Sequence, residues 1–325
     1  MWQIALIGIG AGAASALLFA SVASGSLISI LLFYLAPLPI MIAGLGWSHW
    51  AALVAALAAT IGLTFALGSY FFFAFLFGVG LPAWWLGYLA LLARPATGGR
   101  VGELDWYPVG RLVLWAAILG TLIVVTAIPT LGLDLDTFRS SLRRGFERIL
   151  SAQGQVSQAA PPATDPSIPT SRLIDYLIIV IPPAAAVLST IINLIDLWLA
   201  GRVVRLSGRL RRPWPDLADT RLPRTAAVAL ATGIIACLLP GLLGVVAGVF
   251  VATMLVAYAL VGLAVLHYLT RGLPTRGVLL GGAYTALILF GWPLLLMTLF
   301  GLVDAAIDVR ARIARRRRPP GSPTI

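Results

Sequence analysis

Two aspartates and an asparagine lie inside stretches that are otherwise apolar, and they are the residues of this chain best placed to do chemistry. Asn193 and Asp196, in NLIDLWLAGRVVR, are three apart and share one face if the segment is helical. Asp304, in FGLVDAAIDVRAR, stands in the last apolar run. Each aspartate is followed six residues later by an arginine, Arg202 and Arg310, and this repeated Asp-x5-Arg ending is a weak sign of internal duplication. A carboxylate within hydrocarbon is costly, so it faces a bundle interior, a water-filled cavity or a cation. Two readings follow. Asp196 and Asp304 pair with the arginines at their helix ends, or they line, with Asn193 and more weakly Tyr284, a polar site for a small solute. Asp308 stands four residues before Arg312, a spacing that predicts neutralisation within one helix.

Other reactive constellations are missing. The single cysteine, Cys237, excludes an intramolecular disulfide and a cysteine-based metal site. His49 and His267 fall near the ends of apolar runs and no glutamate lies within one, so three or four metal ligands do not converge. The chain carries no glycine-rich phosphate loop, GxSxG elbow or Cys-His arrangement. The expectation is a protein that is not an enzyme, with no catalytic residues, no metal and no cofactor.

The elements that must position these residues are hydrophobic helices. Of 325 residues 60% are apolar and 11% charged, and the mean hydropathy is +0.97, values that a soluble domain of this size does not support. Crossing a hydrocarbon core of about 30 Å takes about 20 helical residues. Apolar runs of that order occupy 4–23, 27–45, 48–67, 70–93, 109–131 and 172–200. The stretch 225–270 is too long for one crossing and is split by Pro240-Gly241 into 225–239 and 242–270. The last run, 277–309, is one helix or two joined at Gly291-Trp292-Pro293.

Arginine counting chooses two. All 23 basic residues are arginine. With ten helices, eighteen of them fall on one side: three at 94–111, seven at 202–224, two at 271–276 and six at 310–318. The remaining five, at 139–172, fall on the other. With nine helices the bias vanishes, so the positive-inside rule favours ten crossings with both termini cytoplasmic. The short segments 225–239 and 277–290 should then be tilted, locally extended or re-entrant. The net charge of +11 is read as topogenic and lipid-facing, not as a nucleic-acid surface.

The expected fold is an all-α polytopic transmembrane bundle of about ten helices in two five-helix halves joined by an external loop. The halves are 1–131 and 172–310, the connection is 132–171, and 311–325 is a basic cytoplasmic tail. Within the connection, Leu135, Phe138, Leu142, Phe146, Ile149 and Leu150 recur at helical spacing. They predict an amphipathic helix on the outer leaflet or, alternatively, packed on the bundle. SAQGQVSQAAPPATDPSIPT, which follows, reads as a polar, proline-rich tether. The loop GRVVRLSGRLRRPWPDLADTRLPR is a topogenic patch with Trp214 at the interface, or a partner-docking loop; in the second case the chain is, instead of a solute binder, a non-transporting membrane scaffold that recruits partners through this loop and the basic tail. In the first helix, Gly8, Gly12, Ala16 and Ala20 form a stripe without bulk, fit for close helix docking by this chain or by another subunit.

The segment LAPLPIMIAGLGWSHWAALVAALAATIGL, with Pro37 and Pro39 before a glycine-containing turn and an alanine-rich helix, resembles the YybS-like family of bacterial membrane proteins. The closing GLVDAAIDVR resembles that family's Gly-x-x-Asp ending. Such proteins are regarded as distant relatives of the substrate-binding subunits of energy-coupling factor transporters. The resemblance implies a small-solute binder of the bacterial cytoplasmic membrane, with the bilayer and a membrane coupling subunit as partners and no nucleic acid. It places Gly8, Gly12, Ala16 and Ala20 where those subunits dock the coupling protein. Those binding subunits have about six helices against ten here, and no ligand-specific motif is present.

Overall fold

The computed structural model describes residues 2–96, 103–132, 134–156 and 170–317, and they are almost wholly helical. In chain order the helices are α1 (Trp2–Ala20), α2 (Leu27–Tyr34), α3 (Pro37–Gly46), α4 (His49–Leu67), α5 (Tyr70–Phe75), α6 (Leu81–Ala90) and α7 (Val109–Leu131). Then come α8 (Leu135–Val156), α9 (Thr170–Leu206), α10 (Arg224–Ala236), α11 (Leu242–Leu269), α12 (Arg276–Phe290), α13 (Pro293–Ile307) and α14 (Val309–Arg317). Proline explains one break: Pro37 has no N–H to continue α2 and is suited to the first turn of α3. A π-turn at Leu76–Gly80 joins α5 to α6. A short antiparallel hairpin, β1 (Ala93–Pro95) with β2 (Leu104–Trp106), is the one feature here without a helical pattern to predict it.

Seven segments are long and apolar enough to cross a membrane, and α10, α12 and α13 are shorter apolar helices. Their outward faces carry Leu27, Phe65 and Ile288, each more than 80% exposed. Side chains of this kind are stable in lipid and not in water. The chain is therefore an all-α, multi-pass membrane bundle.

Without a hydrophobic drive between helices in lipid, close packing by small residues holds such a bundle together. On α1, a methyl group at Gly8 would lie 2.9 Å from the Ala51 carbonyl oxygen, and one at Gly12 would lie 2.6 Å from that of Ala55. Ala16 and Ala20 pack against the same core. Gly8 and Gly12 are thus covered by α4 of the same chain, whose Ala51, Ala55 and Ala59 are buried, while Ala16 and Ala20 are half-buried. Gly120 lets α7 approach α9 at Ala186 and Thr190, and Gly262 and Gly301 let α11 and α13 touch backbone to backbone. A bond of 2.8 Å between Thr121 and Thr253 ties α7 to α11.

Two apolar clusters result. One gathers α1, α3, α4 and α6 with Leu112 and Ala116 of α7 and Ala200 and Val204 of α9; the other gathers α7, α10 and α11. The helices α7 and α9 therefore belong to the packing of both ends of the sequence. By contrast α12 has no buried residue and rests on α13. The helix α8 touches α7 and α9 and inserts Phe138, which is buried. It also runs on through Val156, so the first six residues expected in the tether are helical. The tether's remainder up to residue 169, and tail residues 318–325, lie outside the described residues.

Candidate functional site

The two Asp-x5-Arg endings meet opposite fates. The helix α9 continues unbroken through Leu206. Six residues of straight helix advance about 9 Å and rotate well away from one face, so Asp196 and Arg202 do not pair. Instead Arg202 lies over the rings of Trp198 and Trp214, and Arg205 also lies over Trp214. In α13 the helix stops at Asp308, whose φ of 49° and ψ of 63° are left-handed. That turn brings Arg310 back: Nη2 and Nε donate to Asp304 Oδ2 at 2.7 and 3.1 Å, and the backbone N–H of Arg310 donates to Oδ1 at 3.2 Å. Its Nη1 donates to the Ala218 carbonyl at 2.8 Å. Both members of this pair are buried.

Asp308 is not neutralised by the Arg312 side chain. It stands at the start of α14, where its carbonyl accepts the Arg312 N–H at 3.1 Å, while Arg312 Nε donates to the Ile307 carbonyl at 2.8 Å. Asp308 instead accepts from Arg221 Nη1 at 2.8 Å and from the N–H of Ala311 at 3.2 Å. The Arg221 guanidinium holds its carboxyl below the usual carboxylate range.

Asn193 and Asp196 are buried in α9 with 3% and 1% exposure. Asn193 Nδ2 donates to the Ser189 carbonyl at 2.9 Å, but Asn193 Oδ1 and Asp196 Oδ2 have no hydrogen-bond partner.

At the arginine-rich end of the bundle lies a cavity of about 550 Å³. Its walls are apolar: Leu45 of α3, Ala90 of α6, Leu112 and Val113 of α7, Leu194 and Leu197 of α9, and Leu260, Leu263 and Ala264 of α11. Its polar lining comes from the loop 207–223 and from the facing ends of α11 and α12: Arg212, Asp216, His267, Arg271, Arg276 and Tyr284. The loop is pinned where it must be. Arg212 Nη1 donates to the carbonyl of Ala90, the last residue of α6, at 3.0 Å, and burial draws that guanidinium somewhat below its ordinary value. Trp214 lies over Gly201, which leaves room for the ring. Asp216 accepts from the N–H of Ala218 at 3.0 Å and is ion-paired with Arg271; the backbone bond first, and then Arg271, hold its carboxyl below the usual range. Across the opening, His267 Nε2 and the Tyr284 hydroxyl share a bond of 2.9 Å that ties α12 to α11.

Three arginines against one carboxylate leave this rim cationic over an apolar chamber. It can hold an elongated apolar body with an anionic group at the rim, because arginine supplies strong charge-assisted donors where water is scarce. Of the four residues singled out by sequence, Tyr284 lies on this wall. Asn193, Asp196 and Asp304 do not. From sequence, Arg212 and Arg271 read as topogenic charge, with a partner-docking loop as the alternative for 201–224, and Asp216 carries no signal of its own; Trp214 between two prolines is the local signal that marks this loop.

The lowered carboxyl of Asp216 gives a pH expectation. A group whose folded value is depressed contributes stability above its unfolded value of about 4 and loses it as the pH falls through the folded value. Acidification is therefore expected to release Arg271 and open the loop. Limited proteolysis within 207–223 should rise in acid and stay unchanged between neutral and mildly alkaline pH.

Residues 13–305 match the family model described as Predicted membrane protein (DUF2232). No curated protein and no solved structure matches the chain.

Proposed function

The chain belongs to DUF2232, a family of predicted membrane proteins, and we propose, from its cavity, that it binds an amphipathic anionic solute at its arginine-rich end, as a transport-related protein of the bacterial cytoplasmic membrane. The observation that carries this reading is the chamber itself: about 550 Å³ of apolar wall with Arg212, Arg271 and Arg276 at the rim. Binding cavities of this size, apolar with a few convergent polar groups, are the usual form of a small-molecule site.

Ten crossings with both termini cytoplasmic fit the contacts at that end. Arg209 lies over Trp47, next to the end of α3; Arg212 bonds the end of α6; and Gly110, at the start of α7, abuts the Arg221 carbonyl. Arg271 follows α11 and pairs with the same loop, and Arg310, in the first turn of α14, bonds it too. Such a gathering is what alternating crossings require, and the arginine excess supports a cytoplasmic location for this end under the positive-inside rule. A reporter fused after Ile325 and active only outside the cytoplasm would overturn that assignment.

The binding reading is tested on the purified full chain in lipid nanodiscs. Alkyl carboxylates and alkyl phosphates are screened by thermal shift against neutral alcohols of equal chain length. An occupant at 100 times its Kd adds about 2.7 kcal/mol of stability. The expected result is a rise in Tm with the anions, a smaller one with the alcohols, and loss of the difference in Arg212→Gln. If no anionic amphiphile raises the Tm, or if Arg212→Gln responds as the parent does, the reading is wrong.

A further inference from the structure

The Asn193–Asp196 face of α9 is unlike every other polar site among the described residues. Its two oxygens, Asn193 Oδ1 and Asp196 Oδ2, are buried acceptors with no donor. Buried polar atoms are paired in the great majority of cases, and an ionised carboxylate left alone inside a bundle is the most costly exception. No arginine answers Asp196: among the described residues it takes part in no ion pair, while Asp304, the other buried aspartate, is paired with Arg310.

The elements around α9 do not supply a cation either. Of the helices packed on it, α3 has no titratable residue, α6 has Tyr88 alone, and α7 has Arg111, whose guanidinium lies over the ring of Tyr107. The helix α11 offers Tyr258, His267 and Tyr268, with His267 already bonded to Tyr284. The charged residues of α8, Arg143 among them, meet the opposite end of α9 at Asp175. On α9 itself, Arg202 and Arg205 are engaged with tryptophan rings, and in the loop packed against it Arg209 lies over Trp47 and Arg212 donates to the Ala90 carbonyl. The indole N–H groups of Trp84 and Trp85 on α6 also lack partners, so neither bonds these oxygens.

We infer that Asp196 is a proton-binding site in the bundle interior, held as the undissociated acid and supplying through its own O–H the donor that this face of α9 lacks. A proton suffices, because two oxygens on one helix face fall short of the several that a sodium ion needs. The inference stands on α9 and not on the cavity. It makes the proton the ion to test for coupling to the solute, and only that coupling rests on the cavity reading.

The test is infrared spectroscopy of the full chain at neutral pH in an ester-free detergent. An undissociated carboxylic acid gives a carbonyl band above the amide envelope that shifts in D2O. The wild type is expected to show it. Asp196→Asn, which mimics the neutral acid in shape and polarity, should lose the band and keep the wild-type Tm. Asp196→Glu, which restores an acid, should keep the band at a shifted frequency, and this covers the case in which the asparagine variant folds poorly. A folded wild type without the band, or an unchanged band in Asp196→Asn, overturns the inference. A Tm raised by sodium over choline and lost in Asp196→Asn, with no acid band, overturns it in favour of a metal cation. Failure of anionic amphiphiles to bind leaves these outcomes unaffected.

Discussion

Arg310→Ala is expected to destabilise the bundle by about 3–5 kcal/mol, the usual penalty for leaving one member of a buried ion pair alone. Asp304 takes three hydrogen bonds from Arg310, two through the guanidinium and one through the backbone N–H, and both side chains are almost fully inaccessible. Losing the guanidinium strands the carboxylate where its side chain is almost inaccessible to solvent, with Arg221, engaged by Asp308, acting on it only at longer range. It also removes the bond from Nη1 to the Ala218 carbonyl, so the loop that walls the cavity loses an anchor. Replacing both partners, Asp304→Leu with Arg310→Met, should recover most of the loss, because the cost lies in the unpaired charge and not in the absence of the pair. Urea unfolding in mixed micelles measures all three proteins. A single variant as stable as the parent would show that the pair is not buried as described, and a double variant as unstable as the single one would show that packing, not charge, is what Arg310 contributes.

Gly262→Leu is expected to cost about 3 kcal/mol or more, at the upper end of what overpacking does. Even a methyl group at Gly262 would stand 1.8 Å from the Met297 carbonyl oxygen, and one at Gly301 would stand 2.0 Å from that of Tyr258. The obstacles are backbone atoms, which cannot rotate aside, so α13 must move away from α11 as a body. In lipid that contact is the main force between them, and α13 carries Asp304 and, through the break at Asp308, sets the position of Arg310. The control lies on the same helix. A methyl at Gly248 meets nothing within 4 Å, so Gly248→Ala should be neutral or stabilising by up to about 1 kcal/mol through helix propensity. Thermal unfolding of the three proteins decides it; equal effects at Gly262 and Gly248 would refute the close crossing.

Each of these sites bears on how far a single chain can be read. That the protein is helical and multi-pass was plain in the sequence, because lipid leaves the backbone no partners but its own and forces each crossing into a local apolar run. Some helix boundaries follow from the same locality: Pro293 opens α13 and Pro240-Gly241 separates α10 from α11, whereas the single runs expected over 27–45 and 70–93 are broken before Pro37 and at the π-turn 76–80. The clustering of arginines at one end was legible too, since charge is excluded from hydrocarbon wherever the chain turns. Tertiary structure alone decided what the polar residues do. The motif Asp-x5-Arg occurs twice, yet one copy is a buried ion pair and the other an unpartnered carboxyl, and the difference is a single left-handed residue at Asp308. The stripe of Gly8 and Gly12 looked the same whether its partner was α4 or another protein. The cavity depends on Arg212 reaching Ala90, 122 residues away, and on Arg310 reaching Ala218, 92 residues away. Hydropathy and periodicity act over a few turns of chain, whereas the pairing of a charge is settled by whichever backbone arrives beside it.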